Sequence, residues 1–348
     1  MKKLSLNLNV QFMALILSIL SLTTLPLLTS CEHKELCYDH SHEGYSRIFV
    51  DWKGFPESPT GMSVLAYPCL GGEPKIKLTN ETHYADLNIS DGMYHIMVFN
   101  QSYSEFTTIV FREMEAYKTA TAHAVDRGKS WYSRAEDERV VHDIEYLGSG
   151  TLEDIEVDNQ KLHKQLSARS DDSRLIVEKG TIHPGLRTVN IKVTVYVKGI
   201  QNLRSVRGSL DGLAGGCTLS DGKPIGEKVT HLLEKWNLKI DEKDPTRGQL
   251  IGTISTFGLP KGHHELSEEN TLKLSTLLID DKTIMDFSFE VGERFEVNTE
   301  IGLELDLKVG TDADDGPIKL PDVKPIDGGG FDVNIDDWGD VENIEIPM

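Results

Sequence analysis

Positive charge is scarce in this chain. Lys and Arg total 36 against 56 Asp and Glu, a formal charge of −20 over 348 residues. A surface this acidic is a poor match for a phosphate backbone or an anionic membrane, so no nucleic-acid partner is expected. Cysteine is scarce as well: Cys31, Cys37, Cys69 and Cys217 are the full set. If Cys31 is modified, three thiols remain, an odd number that rules out a complete disulfide framework. A Cys37–Cys69 pair stays open, and the alternative is that Cys69 and Cys217 are small packed residues. Catalytic signatures are missing altogether. The sequence holds no G-x-S-x-G, no H-E-x-x-H, no P-loop and no G-x-G-x-x-G, so neither an enzyme nor a cofactor is indicated. Aromatic residues make up 7%. Trp52, Trp131, Trp236 and Trp338 read as core or edge packing, with sugar stacking as the rival use.

Metal-binding patterns are thin. His40 and His42, with Cys37 and Asp39 beside them, would put two rings on one side of an extended chain. Nothing downstream completes a finger-like ligand set, so no metal is expected there. DADDG at residues 312–316 lacks the alternate spacing and distal Glu of a calcium loop and reads as a solvated turn. The pair His263 and His264, in LPKGHHELSEEN, reads as a surface loop.

One long apolar run is present, FMALILSILSLTTLPLL at residues 12–28, behind Lys2 and Lys3 and with no acid before Glu32. A basic start, an apolar centre and small residues before the break are the layout of a secretory signal. The run is also about as long as a membrane span, though Pro26 and the Ser and Thr content disfavour an uncleaved helix. Leu28-Thr29-Ser30-Cys31 resembles a bacterial lipobox, which makes Cys31 the expected lipidation site and first mature residue. Each buried methylene of such an anchor contributes roughly 0.8 kcal/mol, and two or more chains hold stably. Loss of residues 1–30 would remove two lysines and take the charge from −20 to −22. Residues 31–43, CEHKELCYDHSHE, are polar and aperiodic, a tether. The two sequons at Asn80 and Asn88 carry little meaning in a bacterial lipoprotein.

The remainder reads as strands. Residues 46–52, 61–67, 84–89, 93–99 and 106–112 are short, β-rich and separated by Gly, Pro, Asn and Asp, the pattern of an antiparallel sandwich or barrel. Leu87, Ile89, Tyr94, Ile96 and Val98 are the expected core of this half. EMEAYKTATAHAV at 113–125 reads as a short helix, and 140–146 and 152–157 as late strands of the same half. SARSDDSR at 167–174 is polar and unpatterned, a place for the first domain to end. The strongest strand signal is at 188–197, with Val189, Ile191, Val193, Val195 and Val197 on one face and Lys192, Thr194 and Tyr196 on the other. LDGLAGG at 210–216 reads as a loop or tight bend. Strands follow at 250–257, 272–279, 284–291 and 301–309. The tail has a Gly328–330 joint and a last extended piece at 341–346. The division is therefore 1–30 signal peptide, 31–43 tether, 44–180 first β-sandwich and 181–348 second.

Several stretches resemble the fimbrillin-like outer-membrane lipoproteins of the Bacteroidales, in particular the FimB-type anchor or minor-subunit group. They are CEHKELCYDHSH, SDGMYHIMVFN, GSLDGLAGGCTLSDGKPIGEKVTH, GTISTFG and GGGFDVNIDDWGD. The resemblance spans nearly the whole chain after Cys31. It implies an all-β fold of two tandem transthyretin-like or Ig-like antiparallel β-sandwich domains, and fimbrillin-like subunits as partners. It further implies an outer-membrane, lipid-anchored, surface-exposed protein without enzymatic activity. In this class stalk subunits lose their lipid and a strand through an arginine-directed cut, whereas anchors keep the lipid. Arg174 and Arg187 are candidate cut sites, but either cut would remove most of the first domain, which favours the anchor or accessory role. An added strand satisfies an edge of backbone groups while alternate side chains enter core pockets. Val341, Ile344 and Ile346 are the candidate strand-exchange residues, and the same strand completing its own domain is the rival reading. A surface glycan- or nutrient-binding lipoprotein is the alternative function.

Overall fold

The computed structural model describes residues 45–127, 139–159, 176–225, 227–260, 266–297, 304–311 and 316–325. Cys31, Cys37, Trp131, Arg174, His263, His264, Trp338 and the 341–346 strand with Val341, Ile344 and Ile346 lie outside them. By contact the chain falls into two units. One is Met1–Tyr45 with Asn159–Val177, of which the structure describes Tyr45, Asn159, Ile176 and Val177. The other, Ser46–Asp158 with Glu178–Met348, holds all other described residues.

The elements described in full are β-strands and three single 3-10 turns. The first half contains β1 (Tyr45–Val50), β2 (Met62–Pro68), β3 (Lys75–Thr79), β4 (Tyr84–Leu87), β5 (Gly92–Phe99), β6 (Ile109–Arg112), β7 (Thr121–Ala124), β8 (Val140–Val141), β9 (Gly148–Val157), β10 (Ile176–Ile182) and β11 (Gly185–Leu186). The second contains β12 (Val189–Lys198), β13 (Leu203–Ala214), β14 (Gly216–Thr218), β15 (Lys228–Leu233), β16 (Trp236–Ile240), β17 (Arg247–Thr256), β18 (Thr271–Leu278), β19 (Ile284–Glu290), β20 (Phe295–Val297), β21 (Glu304–Val309) and β22 (Ile318–Lys319). β10 runs across residues 180 and 181, where the sequence suggested a division.

In the first half, a sheet of order β10-β1-β4 faces one of order β11-β9-β5-β2-β3. Between them lies a cluster of Ile48, Val50, Leu87, Ile89, Tyr94, Ile96 and Val98 with their neighbours. All five residues expected in this core are in it. Alternation explains β1, where Ser46, Ile48 and Val50 are buried and the residues between them are half-exposed. β2 does not alternate: six of its seven residues are buried. Its second face, Leu65 and Tyr67, joins Met97 and Phe99 of β5 in a second cluster. A strand covered on both sides needs a continuous apolar run, and SVLAY and IMVF supply it. Arg47 secures the outer sheet. Its Nε–H and Nη2–H donate to the two carboxylate oxygens of Asp86 at 2.6 and 2.8 Å, directly across from β1 to β4.

The second half packs a sheet of order β16-β17-β12-β21-β20 against one of order β19-β18-β13-β15-β8. Ile191, Val193 and Val195 of β12 meet Leu210, Leu272 and Leu274 in the same large cluster that holds Phe99. These sheets are mixed rather than purely antiparallel. β12 pairs in parallel with β21 and β22, and β15 pairs in parallel with β8.

Three expectations are corrected. Residues 113–125 form no helix: Glu113 has φ 52°, turns follow, and residues 121–124 are β7. The small side chains of Ala120, Ala122 and Ala124 are fully buried, and β7 gains backbone partners from Gly216, Cys217 and Thr218. Long-range pairing overrides the helical propensity of the alanines. Val140 and Val141 join β15 of the second half rather than a first-half sheet. The stretch 210–216 is mostly strand. β13 runs through Ala214, and its register shifts between Leu210 and Leu213 around Gly212, which has φ 76°. A bulge sets two residues of β13, Asp211 and Gly212, against the single Thr230 of β15, so the one extra residue bends the strand without ending it.

β7 and β14 therefore connect the two halves, and His123 sits in that joint, 7% exposed. Its Nδ1 lies 3.7 Å from Glu227 and its Nε2 3.1 Å from Thr121 Oγ1. Burial, with Arg112 and Arg139 nearby, holds the imidazole pKa below 6.5, against the opposing pull of Glu227. A depressed histidine favours the neutral folded form. Its contribution is complete above the unfolded value and is lost as pH falls from there through the folded value. Stability is therefore expected to drop on acidification below about pH 6.5. Urea midpoints at neutral and mildly acidic pH should differ more for wild type than for His123→Gln.

Candidate assembly surface

A β protein offers partners its sheet edges, where one row of backbone groups is unpaired. Edge strand β3 carries Lys75 and Lys77, and Lys77 Nζ–H donates to the Asp86 carbonyl at 2.5 Å. Lysine on an edge discourages further pairing. Edge strand β8 is two residues long. Edge strand β16 has Lys239. β19, of sequence IMDFSFE, has no lysine or arginine.

β19 also differs in how its side chains are buried. Met285, Phe287 and Phe289 point into the sandwich and pack on its core, yet each stays half-exposed. At the sheet centre, inward residues such as Leu272 and Leu274 are fully buried. The single turn Gly292–Arg294 carries the chain from β19 to β20, the edge strand of the facing sheet. There Phe295, with Leu305 of the adjoining β21, is half-buried against the same core. Among the described residues no strand covers the outer edges of β19 and β20, which leaves a seam of half-buried residues, Phe287, Phe289, Phe295 and Leu305. The rings of Phe287 and Phe289 lie 6.5 Å apart and nearly parallel, as expected of two residues on one face of a strand. Val297, at the end of β20, is 64% exposed. The alternation of residues 284–291 was legible in the sequence, but the half-burial of its inner face arises from its place at the edge.

The sequence-derived candidates fare unevenly. Cys217 is packed as expected, fully buried, with its thiol pushed up to about 12 by burial. Cys69 is exposed, contrary to expectation. It sits just past β2, where the chain turns away through Leu70 and Gly71 and leaves the core. Trp236 is buried and its indole N–H donates to the Leu233 carbonyl at 2.9 Å, so it is unavailable for stacking on a sugar. Trp52 is half-buried, donates to the Thr82 carbonyl at 2.8 Å and meets Phe55 edge-on.

Arg187 is not presented as a protease site. Its backbone N–H donates to the Leu147 carbonyl at 2.7 Å and its Nε–H to Ser149 Oγ at 2.6 Å. Its guanidinium fills the space over Gly222, where a Cβ would lie 2.1 Å from Nη1. A protease must extract this side chain and open the local backbone first. An arginine-specific protease should cut after Arg187 at least about a hundredfold more slowly in the native chain than in the urea-unfolded chain. Timed digestion read by mass spectrometry checks this.

The arrangement defines a β-sandwich-type protein. A family model described as a domain of unknown function, DUF5119, matches residues 30–234, and the chain belongs to that family. It is 22% identical over 351 residues to a candidate fimbrium-anchoring subunit of Bacteroides ovatus, Fim4B, covering 94% of this chain and 96% of that protein. Among solved structures, a candidate adhesin from Bacteroides ovatus superposes with a TM-score of 0.53 at 16% identity, over 81% of this chain and 94% of that one. The fimbrial anchor protein Mfa2 from Porphyromonas gingivalis gives a TM-score of 0.45 at 13% identity, over 79% and 94%.

Proposed function

We propose that this chain is a non-enzymatic anchor or accessory subunit of a fimbria, held on the outer membrane through a lipid on Cys31 and joined to fimbrillin-like subunits by strand addition. The observation that carries the role is the end-to-end similarity to Fim4B. The seam at β19 supports the mode of contact, because an incoming strand would pair with an edge that no described strand occupies and place every second side chain beside Phe287 and Phe289. In this reading residues 1–30 are the signal peptide, 31–43 the tether, and 44–180 and 181–348 two transthyretin-like sandwiches. Val341, Ile344 and Ile346 belong to a strand that is donated to a partner or pairs at home.

The test uses native outer membranes and an antibody to a loop of the first half. Captured protein is run unboiled and boiled, and its bands are identified by mass spectrometry. A high-mass ladder that collapses on boiling into this chain and smaller fimbrillins is expected. A lone monomer band would overturn the assembly role. In parallel, Cys31→Ala should move the protein from the membrane pellet to the soluble fraction.

A further inference from the structure

Away from the seam, β5 and β9 pair out of step. Tyr94 faces Ile155 while Ile96 faces Leu152, so His95 stands opposite two residues, Glu153 and Asp154. The bulge puts Asp154 at φ 56° and turns its carboxylate beside His95. Cys69, tied to β5 by its N–H to the Met93 carbonyl at 2.8 Å, brings its thiol to the same spot. The Cys69 sulfur, a ring nitrogen of His95 and a carboxylate oxygen of Asp154 all lie within 4.8 Å of one another. We propose that Cys69, His95 and Asp154 form a binding site for a borderline-soft divalent cation of the zinc type.

The geometry and the donor set both fit. A tetrahedral zinc with bonds of about 2.3 Å to sulfur and 2.0 Å to nitrogen separates the two donors by about 3.5 Å. Cys69 Sγ and His95 Nε2 are 3.6 Å apart. A thiol–imidazole hydrogen bond has a similar length, so the third donor and the local charge decide. No ion pair engages the Asp154 carboxylate among the described residues. The bulge sets the acidic residues Glu153 and Asp154 opposite His95, with Asp154 beside the thiol, and a cation would balance their charge. The imidazole is already oriented: its ring stacks on Tyr117 at 4.6 Å, and the Tyr117 hydroxyl donates to Glu153 at 2.8 Å. A mixed S, N and O set favours zinc over magnesium or calcium. Three protein ligands leave a fourth position for water or a donor from another molecule. Binding displaces the thiol proton, so affinity should rise with pH. Coordination through Nε2 also places the ring proton on Nδ1, and the long contact from the Asp154 N–H to Nδ1, 3.4 Å, gives way.

The experiment titrates the purified, reduced, chelator-stripped full chain with Co²⁺ and then displaces it with Zn²⁺. One bound Co²⁺ with a thiolate charge-transfer band is expected, and the band should disappear when Zn²⁺ is added. Cys69→Ser should abolish the band. Asp154→Asn, which tolerates the left-handed backbone, and His95→Gln should each weaken binding at least about tenfold. Cys37→Ser should leave it unchanged. Absence of the band, its survival in Cys69→Ser or its loss in Cys37→Ser would overturn the site.

Discussion

Gly212→Val is expected to unfold this protein or to cost it more than about 4 kcal/mol, an exceptional loss for one residue. Two costs combine. Gly212 has φ 76°, and a β-branched residue in the left-handed region costs on the order of 1–3 kcal/mol. The second cost is steric and larger: a Cβ here would sit 2.1 Å from the backbone carbonyl oxygen of Glu269. That carbonyl cannot swing aside cheaply. The adjacent Asn270 side chain donates to the Asp211 carbonyl at 2.7 Å, and the Thr271 N–H donates to the Asp211 carboxylate at 2.5 Å. The bulge in the β13–β15 pairing is thereby tied to the start of β18. Gly54 separates the two costs, because it has φ 90° and nothing within 4 Å of its missing Cβ. Gly54→Ala should lose only about 1–2 kcal/mol. Urea unfolding of both variants checks the contrast. Equal losses would mean that backbone strain alone sets the cost at Gly212.

The same residues show what the sequence made legible. Where a strand alternates or is continuously apolar, the pattern names both the strand and its buried face: 188–197 became β12, and the five expected core residues of the first half are all buried. The pattern reports local geometry only. The alanines at 120, 122 and 124 became strand and turn because Gly216, Cys217 and Thr218 come alongside from nearly a hundred residues away. Val140 and Val141 had a β signal, yet nothing nearby indicated that their partners were Thr230 and His231. Parallel pairing of β12 with β21 is hidden for the same reason. Cys69 was misplaced because one small apolar residue at a strand end carries no periodicity. Its proximity to His95 and Asp154 depends on a register shift that no spacing in the sequence encodes. The candidate strand-exchange residues at 341–346 lie outside the described residues, whereas the seam that could receive a strand was not distinguishable from any other alternating segment.

With partner strands adding to β19 as proposed, changing Phe287 to Asp should reduce that assembly at least about tenfold, with little loss of stability. The asymmetry comes from half-burial. In the free protein the ring at 287 still reaches water, so a carboxylate can remain hydrated there at a cost of about 1 kcal/mol. Under an added strand the same position is covered, and the buried charge has no partner. Charges in such a place cost several kcal/mol unless paired, which exceeds the roughly 1.4 kcal/mol that corresponds to a tenfold change. Period two then gives an internal control. Ser288 lies between the two phenylalanines and is exposed, so its side chain points away from the seam. Ser288→Asp should therefore assemble normally, and Phe289→Asp should behave like Phe287→Asp. The readout is the boiling-sensitive ladder from native outer membranes, with urea midpoints to show that each monomer remains folded. If all three substitutions leave the ladder intact, partner strands enter elsewhere. If Ser288→Asp alone disrupts it, contact runs over the outer face of the sheet and not through the seam.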